Sequence, residues 1–194
     1  MTQKLDSVSS EDLMAKVAGD DDYAFEILVQ RHQIPILNLV YRFIGDRSQA
    51  KDLAQEVFVR VWQAAKTYKP TAKFTTWINR ITANLCLNEL KSSSRRKWIS
   101  NFSGEEGRET GIEILADESS SAEDLLLVRE RSRQIADALQ SLPENQRMAV
   151  ILKKYDDLPY QEIAGILNCS VSAVESLLIR AKRNLHEKLA PHEK

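Results

Sequence analysis

Residues that break helices are scarce in this chain: there are six glycines and five prolines in 194 positions. Long β-branched runs are few as well, and together these scarcities argue for helices rather than strands. No run of about 18 apolar residues occurs, so no segment is expected to insert into a membrane. The start, MTQKLDSVSSEDL, lacks the basic and apolar blocks of a secretory leader, and a cytoplasmic location is expected. Cysteine is limited to Cys86 and Cys169, far apart and outside any CxxC or Cys/His ligand pattern. They read as free, mostly buried thiols, and no metal is expected. The histidines, His32, His186 and His192, have no ligand spacing, the glycines build no phosphate loop, and no nucleophile motif is visible. Neither a cofactor nor a catalytic residue is expected, which makes an enzyme the weakest function class.

Charge is segregated along the chain, although its net value is only −1. Residues 1–67 carry 8 basic and 10 acidic side chains, and residues 68–98 carry 7 and 1. Residues 99–128 then carry 1 and 8, and residues 129–194 carry 11 and 9. Two net-positive segments thus flank an acidic one, a layout that fits two nucleic-acid contacts joined by a segment that avoids DNA.

The most informative stretch is Tyr160 to Leu185, YQEIAGILNCSVSAVESLLIRAKRNL, which has helix-turn-helix spacing. Ile163 and Leu167 form the inner face of its first helix, and Ala164 is small enough for close approach by the second. Asn168 sits at the turn, where it tolerates positive φ. Val174, Leu177 and Leu178 supply the buried side of the second helix. Ser172, Glu175, Ser176, Arg180 and Lys182 project outward, where they suit a major groove. Glu175 has two readings: it accepts a hydrogen bond from a cytosine amine, or it closes a capping box with Ser172 and reads nothing.

Elsewhere the pattern predicts an all-α protein: two small helical domains joined by a flexible acidic linker, with the helix-turn-helix at the C-terminal end. Ser9 or Ser10 caps a short helix that Gly19 stops, and Asp20 to Asp22 start the next. Pro35 is expected to kink or split that second helix. Gly45 and Asp46 end it. Ser48 to Lys66 carries one apolar stripe, Ala50, Leu53, Ala54, Val57, Phe58, Val61, Trp62 and Ala65, with Asp52, Gln55, Glu56 and Arg60 on the other face. After a loop at YKPTAK, a helix begins near Phe74 and runs to about Leu90. Residues 98–122 read as linker. These 25 residues reach at most ~85 Å against roughly 35 Å per DNA turn, so two modules on one duplex can lie more than a turn apart. A helix over Glu123 to Leu139 has Leu126, Ile135 and Leu139 among its inner positions, and Pro143 opens the helix after it.

Residues 68–98 combine Tyr68, Phe74, Trp77 and Trp98 with Lys69, Lys73, Arg80, Lys91, Arg95, Arg96 and Lys97. Aromatic faces stack on unpaired bases while cations follow the phosphates, so this mixture suits a separated strand. Trp77, with Ile78, Ile81 and Leu85, also has the spacing of a core position. Arg80, Asn84 and Asn88 form one polar row.

Two blocks resemble a known family. DLAQEVFVRVWQAAKTYKPTAKFTTWINRITANLCLNELK looks like region two of a bacterial RNA polymerase sigma factor, and LPENQRMAVILKKYDDLPYQEIAGILNCSVSAVESLLIRAKRNL resembles region four. Two modules and a short linker resemble the extracytoplasmic-function group, whose members start transcription, often in stress responses. The resemblance implies a region-two domain over 11–97, a linker over 98–122 and a region-four domain over 123–189. It implies that Asp52, Gln55 and Glu56 meet the clamp helices of core RNA polymerase. Tyr68, Lys73, Phe74, Trp77, Arg80 and Asn84 match the part that opens the −10 element and captures a flipped base. Ser172, Glu175, Ser176, Ile179, Arg180 and Lys182 match the part that reads the −35 element. Expected partners are core polymerase (clamp helices and flap), promoter DNA, and an anti-sigma protein, in this family often membrane-tethered. One departure stands out: family recognition helices are often richer in Arg, whereas Glu175 and Leu177 stand here. The competing reading is a helix-turn-helix regulator with an N-terminal sensing or dimerisation domain, which leaves the basic aromatic segment unexplained.

Overall fold

The computed structural model describes residues 7–100 and 122–190, with side chains over 7–92 and 130–190. The described residues are helical, without a strand, and fall into two groups of four helices. The first group is α1 (Ser10–Val17), α2 (Asp22–Ile44), α3 (Arg47–Ala64) and α4 (Phe74–Ser100), with a 3-10 turn at Ala65–Thr67 after α3. The second is α5 (Ala122–Gln140), α6 (Glu144–Lys154), α7 (Tyr160–Leu167) and α8 (Val171–Leu189).

Local capping chemistry sets the boundaries of the first group. The Ser9 hydroxyl accepts the Asp12 N–H, Asp21 accepts that of Ala24, and Asp46 accepts that of Gln49 at 2.7 Å. Between α2 and α3 the chain reverses through Gly45 at φ 81°, a left-handed conformation that glycine adopts without a Cβ penalty.

Two expectations about helix length are corrected. Pro35 neither splits nor ends α2, which is continuous over 23 residues. Pro35 is exposed, while Leu28, Ile36 and Leu39 are buried and pin both halves of the helix. Helix α4 continues to Ser100 instead of ending near Leu90. Once nucleated, a helix extends cheaply through residues such as Arg95, Arg96 and Lys97, which are good helix formers. The side chains of Arg95 to Trp98 lie outside the described ones, as does the 98–122 segment apart from its helical ends.

Leu13, Met14, Leu28, Phe43, Val57, Val61 and Ile78 fill the first core, each at most 1% exposed. Met148, Ile151, Leu152, Ile163 and Val174 fill the second, all fully buried. The two cores are continuous, because α7 packs on α4 while α5 and α6 pack on the end of α2. The two helical regions are therefore in direct contact. Trp62 and Ile135 leave their expected stripes partly: they are 38% and 45% exposed. Trp62 still meets Phe25 edge-on at 5.0 Å. The Leu126 side chain is outside the described ones.

Candidate nucleic-acid interface

Helices α7 and α8 cross at 96°, within the helix-turn-helix range. Asn168 adopts φ 51°, ψ 51°, and the amides of Asn168 and Cys169 both donate to the Ala164 carbonyl. This closes α7 in two residues and lets α8 start at once. Ala164 and Val174 are buried at the contact, and Leu167, Leu177 and Leu178 are half-buried around it. On the far side, Asn184 donates to Gln146 of α6 at 3.1 Å, which fixes the rotation of α8.

That rotation leaves Ser172, Glu175, Ser176, Ile179, Arg180 and Lys182 all exposed. Ile179 is 71% exposed, unusual for an apolar side chain. Ser176 Oγ donates to the Ser172 carbonyl at 2.9 Å, and Arg180 Nε donates to the Ser176 carbonyl at 3.1 Å. The capping-box reading of Glu175 is overturned. The N-cap is Ser170, whose hydroxyl accepts the Ala173 N–H, so Ser172 is already inside the helix and the box position is occupied by Ala173.

Lys73, just before α4, and Arg80, Asn84 and Asn88 on it are exposed. The aromatic side chains beside them form a cluster of their own. Tyr68 lies edge-on to Trp77 at 4.8 Å, and Phe74 lies 5.7 Å from Trp77 and 6.3 Å from Tyr68. Phe74 is only 1% exposed, and its backbone N–H donates to Glu11 Oε1 at 2.6 Å. This corrects the expectation of a stacking face at Phe74: it is a core anchor for the start of α4. Tyr68 and Trp77 are half-buried, so part of each side chain stays accessible. Burial, with the Glu11 carboxylate second, raises the Tyr68 phenol pKa, and its hydroxyl is buried without a partner among the described residues. Beneath the cluster the His32 ring lies tilted against Phe74 at 4.9 Å and meets Ser10 Oγ at 2.9 Å. Burial and then the Arg31 cation lower its pKa to about 4, so it is neutral near pH 7.

On α3, Asp52 and Gln55 are exposed, whereas Glu56 is half-buried and accepts from Arg60 Nε at 2.8 Å. An exposed pair of this kind restrains the side chain more than it stabilises the fold.

Sequence reasoning missed the residues that join the modules. Thr76 of α4 donates to Glu162 of α7, and the Arg42 guanidinium lies 4.0 Å over the Tyr155 ring. Arg147, only 7% exposed, reaches across to α2. A signal existed: Arg147 sits four residues before Ile151, on the inner stripe of α6.

The comparisons with known proteins agree with this geometry. A model described as Sigma-70 region 2 matches residues 28–96, and one described as Sigma-70, region 4 matches residues 132–185. The chain is 31% identical over 191 residues to the RNA polymerase sigma-H factor of Pseudomonas aeruginosa, covering 98% of this chain and 97% of that one. It is also 31% identical over 186 residues to the ECF RNA polymerase sigma-E factor of Escherichia coli, covering 96% and 97%. Among solved structures, the sigma factor RpoE in complex with the anti-sigma factor NepR from Bartonella quintana matches with a TM-score of 0.69 at 19% identity, covering 86% and 96%. CnrH in complex with the cytosolic domain of CnrY matches with a TM-score of 0.63 at 24% identity, covering 94% and 97%. At these identities the structures speak for the fold alone. A regulator with a separate sensing domain is not favoured, because the region-2 match occupies the place of that domain. The chain belongs to the sigma-70 family of RNA polymerase sigma factors, in its extracytoplasmic-function group.

Proposed function

We propose that this sigma factor divides its work between the two modules as their exposed residues suggest. Asp52, Gln55 and Glu56 on α3 meet the clamp helices of core polymerase. Lys73, Arg80 and Asn84, with the open parts of Tyr68 and Trp77, hold the separated strand of the −10 element. Ser172, Glu175, Ser176, Ile179, Arg180 and Lys182 on α8 enter the major groove of the −35 element. The protein performs no covalent chemistry itself and works in the cytoplasm with the polymerase. An anti-sigma protein is its controlling partner, by analogy with the similar structure of the sigma factor RpoE in complex with the anti-sigma factor NepR.

The observation that carries this reading is the exposure of Lys73, Arg80 and Asn84 next to a half-buried aromatic cluster. Cations next to ring faces suit unpaired bases, and a plain duplex binder has no use for them. Replacing all three residues by alanine tests it. Open-complex formation on duplex promoter should fall, and it should recover on a template already mismatched at −10, because the cost of unpairing is gone. Permanganate footprinting of unpaired thymines reads both templates. Normal melting by the triple variant on duplex DNA would remove the strand-holding role.

A further inference from the structure

Glu175 is an exposed carboxylate, five residues beyond the N-cap Ser170, on the outward face of α8. Its intramolecular uses can be checked in turn. A capping box is ruled out by Ser170 and Ala173, as above. The neighbours on its own helix at three and four residues' distance are Val171, Ser172, Leu178 and Ile179, none of them cationic. The other carboxylate of α8, Glu187, has Arg183 at 4.0 Å, but no described cation pairs with Glu175. The favourable end of the helix dipole fades within the first turn, and Glu175 lies beyond it.

A carboxylate with no partner of its own is a liability beside phosphates, unless a donor on the DNA meets it. In the major groove guanine presents N7 and O6, and thymine presents O4, all acceptors that repel an ionised carboxylate. The donors there are the amines of cytosine N4 and adenine N6. Adenine N6 lies beside the acceptor N7, which opposes the second carboxylate oxygen, whereas cytosine N4 has no such neighbour. We infer that Glu175 is a specificity-determining residue that commits one position of the −35 element to cytosine by accepting a hydrogen bond from its N4 amine. This rests on α8 being the −35 reading helix.

The test uses the full chain bound to core polymerase and a duplex promoter library randomised across the −35 element. The parent should select cytosine at one position by about tenfold or more over guanine or thymine. Glu175→Ala should flatten the preference at that position alone. Glu175→Gln should move it toward adenine, because a carboxamide both donates and accepts and pairs with N6 and N7. An unchanged cytosine preference in both variants, or a uniform rise in affinity for every sequence with Glu175→Ala, would overturn the proposal while leaving the role of α8 intact. Failure of that role looks different: Ser176→Ala and Arg180→Ala would also leave every −35 preference unchanged.

Discussion

Arg147 of α6 donates from Nη1 to the carbonyl oxygen of Phe43, next to last in α2, at 2.6 Å. The same guanidinium donates to Gln140 Oε1 at 2.6 Å, to the Gln140 carbonyl at 2.7 Å and to the Leu142 carbonyl at 3.1 Å. Gln140 in turn donates from Nε2 to the carbonyls of Arg42 and Phe43, each at 3.2 Å. The last carbonyls of a helix have no partner within it and carry its negative dipole end. In this protein the second module satisfies them with a buried cation and an amide.

Arg147→Ala should therefore destabilise the protein by roughly 2–3 kcal/mol, because several buried acceptors lose a charged donor at once. Arg147→Lys should rescue little, since an ammonium cannot serve this spread of acceptors as a planar fork does. Denaturant melts give the stability, and cross-linking between α2 and α6 reports whether the junction loosens. Parent-like melting and cross-linking in Arg147→Ala would mean that the junction is not closed in solution.

Gly45 sits at the same corner. A Cβ added there would lie 2.8 Å from Gln140 Cδ, and φ is +81°. Gly45→Ala should cost about 1–3 kcal/mol from backbone strain and from displacement of the Gln140 amide. Combined with Gln140→Ala, the loss should be smaller than the two single losses added, because the clash has been removed. Strict additivity in a double-mutant cycle would argue against the contact.

Two buried groups should give opposing responses to acid. Burial raises the Asp156 pKa to about 6, with Arg42 opposing, so the folded state holds this proton more tightly than the unfolded chain. Its contribution to stability therefore falls as pH rises from about 4 to about 6. His32 is lowered to about 4, so its contribution is lost as pH falls from 6.5 toward 4. Each amounts to about 2–3 kcal/mol at full span, less for Asp156 because it is partly open to water. The advantage of Asp156→Asn over the parent should shrink by about 2 kcal/mol between pH 7 and pH 4. That of His32→Gln should grow over the same range. Parallel stability–pH curves for parent and variants would contradict both assignments.

Replacing Asp52, Gln55 and Glu56 together by alanine should weaken binding to core polymerase. Stability should change by less than about 1 kcal/mol, the only described ion pair lost being the exposed Glu56–Arg60 contact. Thermal melting and core-binding titrations measured side by side separate the two effects. Parent-like affinity for core would take α3 out of the contact.

What could be read from the chain was whatever depends on near neighbours. Ser9, Asp21, Asp46 and Gly45 marked helix ends correctly, because a cap is an interaction within four residues. The helix-turn-helix was legible for the same reason, with Asn168 in the left-handed region its pattern required. Pro35 misled because its local penalty is outweighed by buried side chains on either side of it. Phe74 misled because a basic, aromatic segment does not say which ring faces inward; Glu11, His32 and Tyr68 decide that, and two of them are far away in sequence. Arg147 was passed over although it lies on an apolar stripe, since its acceptors at Phe43 are about a hundred residues distant.

The continuous core has a consequence for how tightly any partner can hold this chain. Two modules on one polypeptide meet at an effective concentration in the millimolar range, so even a weak intrinsic contact between them is largely formed. A partner that binds both modules in their closed arrangement keeps the Arg147–Phe43 contact and gains avidity from two attachments. A partner that needs them apart must give up that contact, and its apparent affinity is its intrinsic affinity multiplied by the fraction of molecules already open. One buried guanidinium thus shifts the competition between two kinds of partner without touching either.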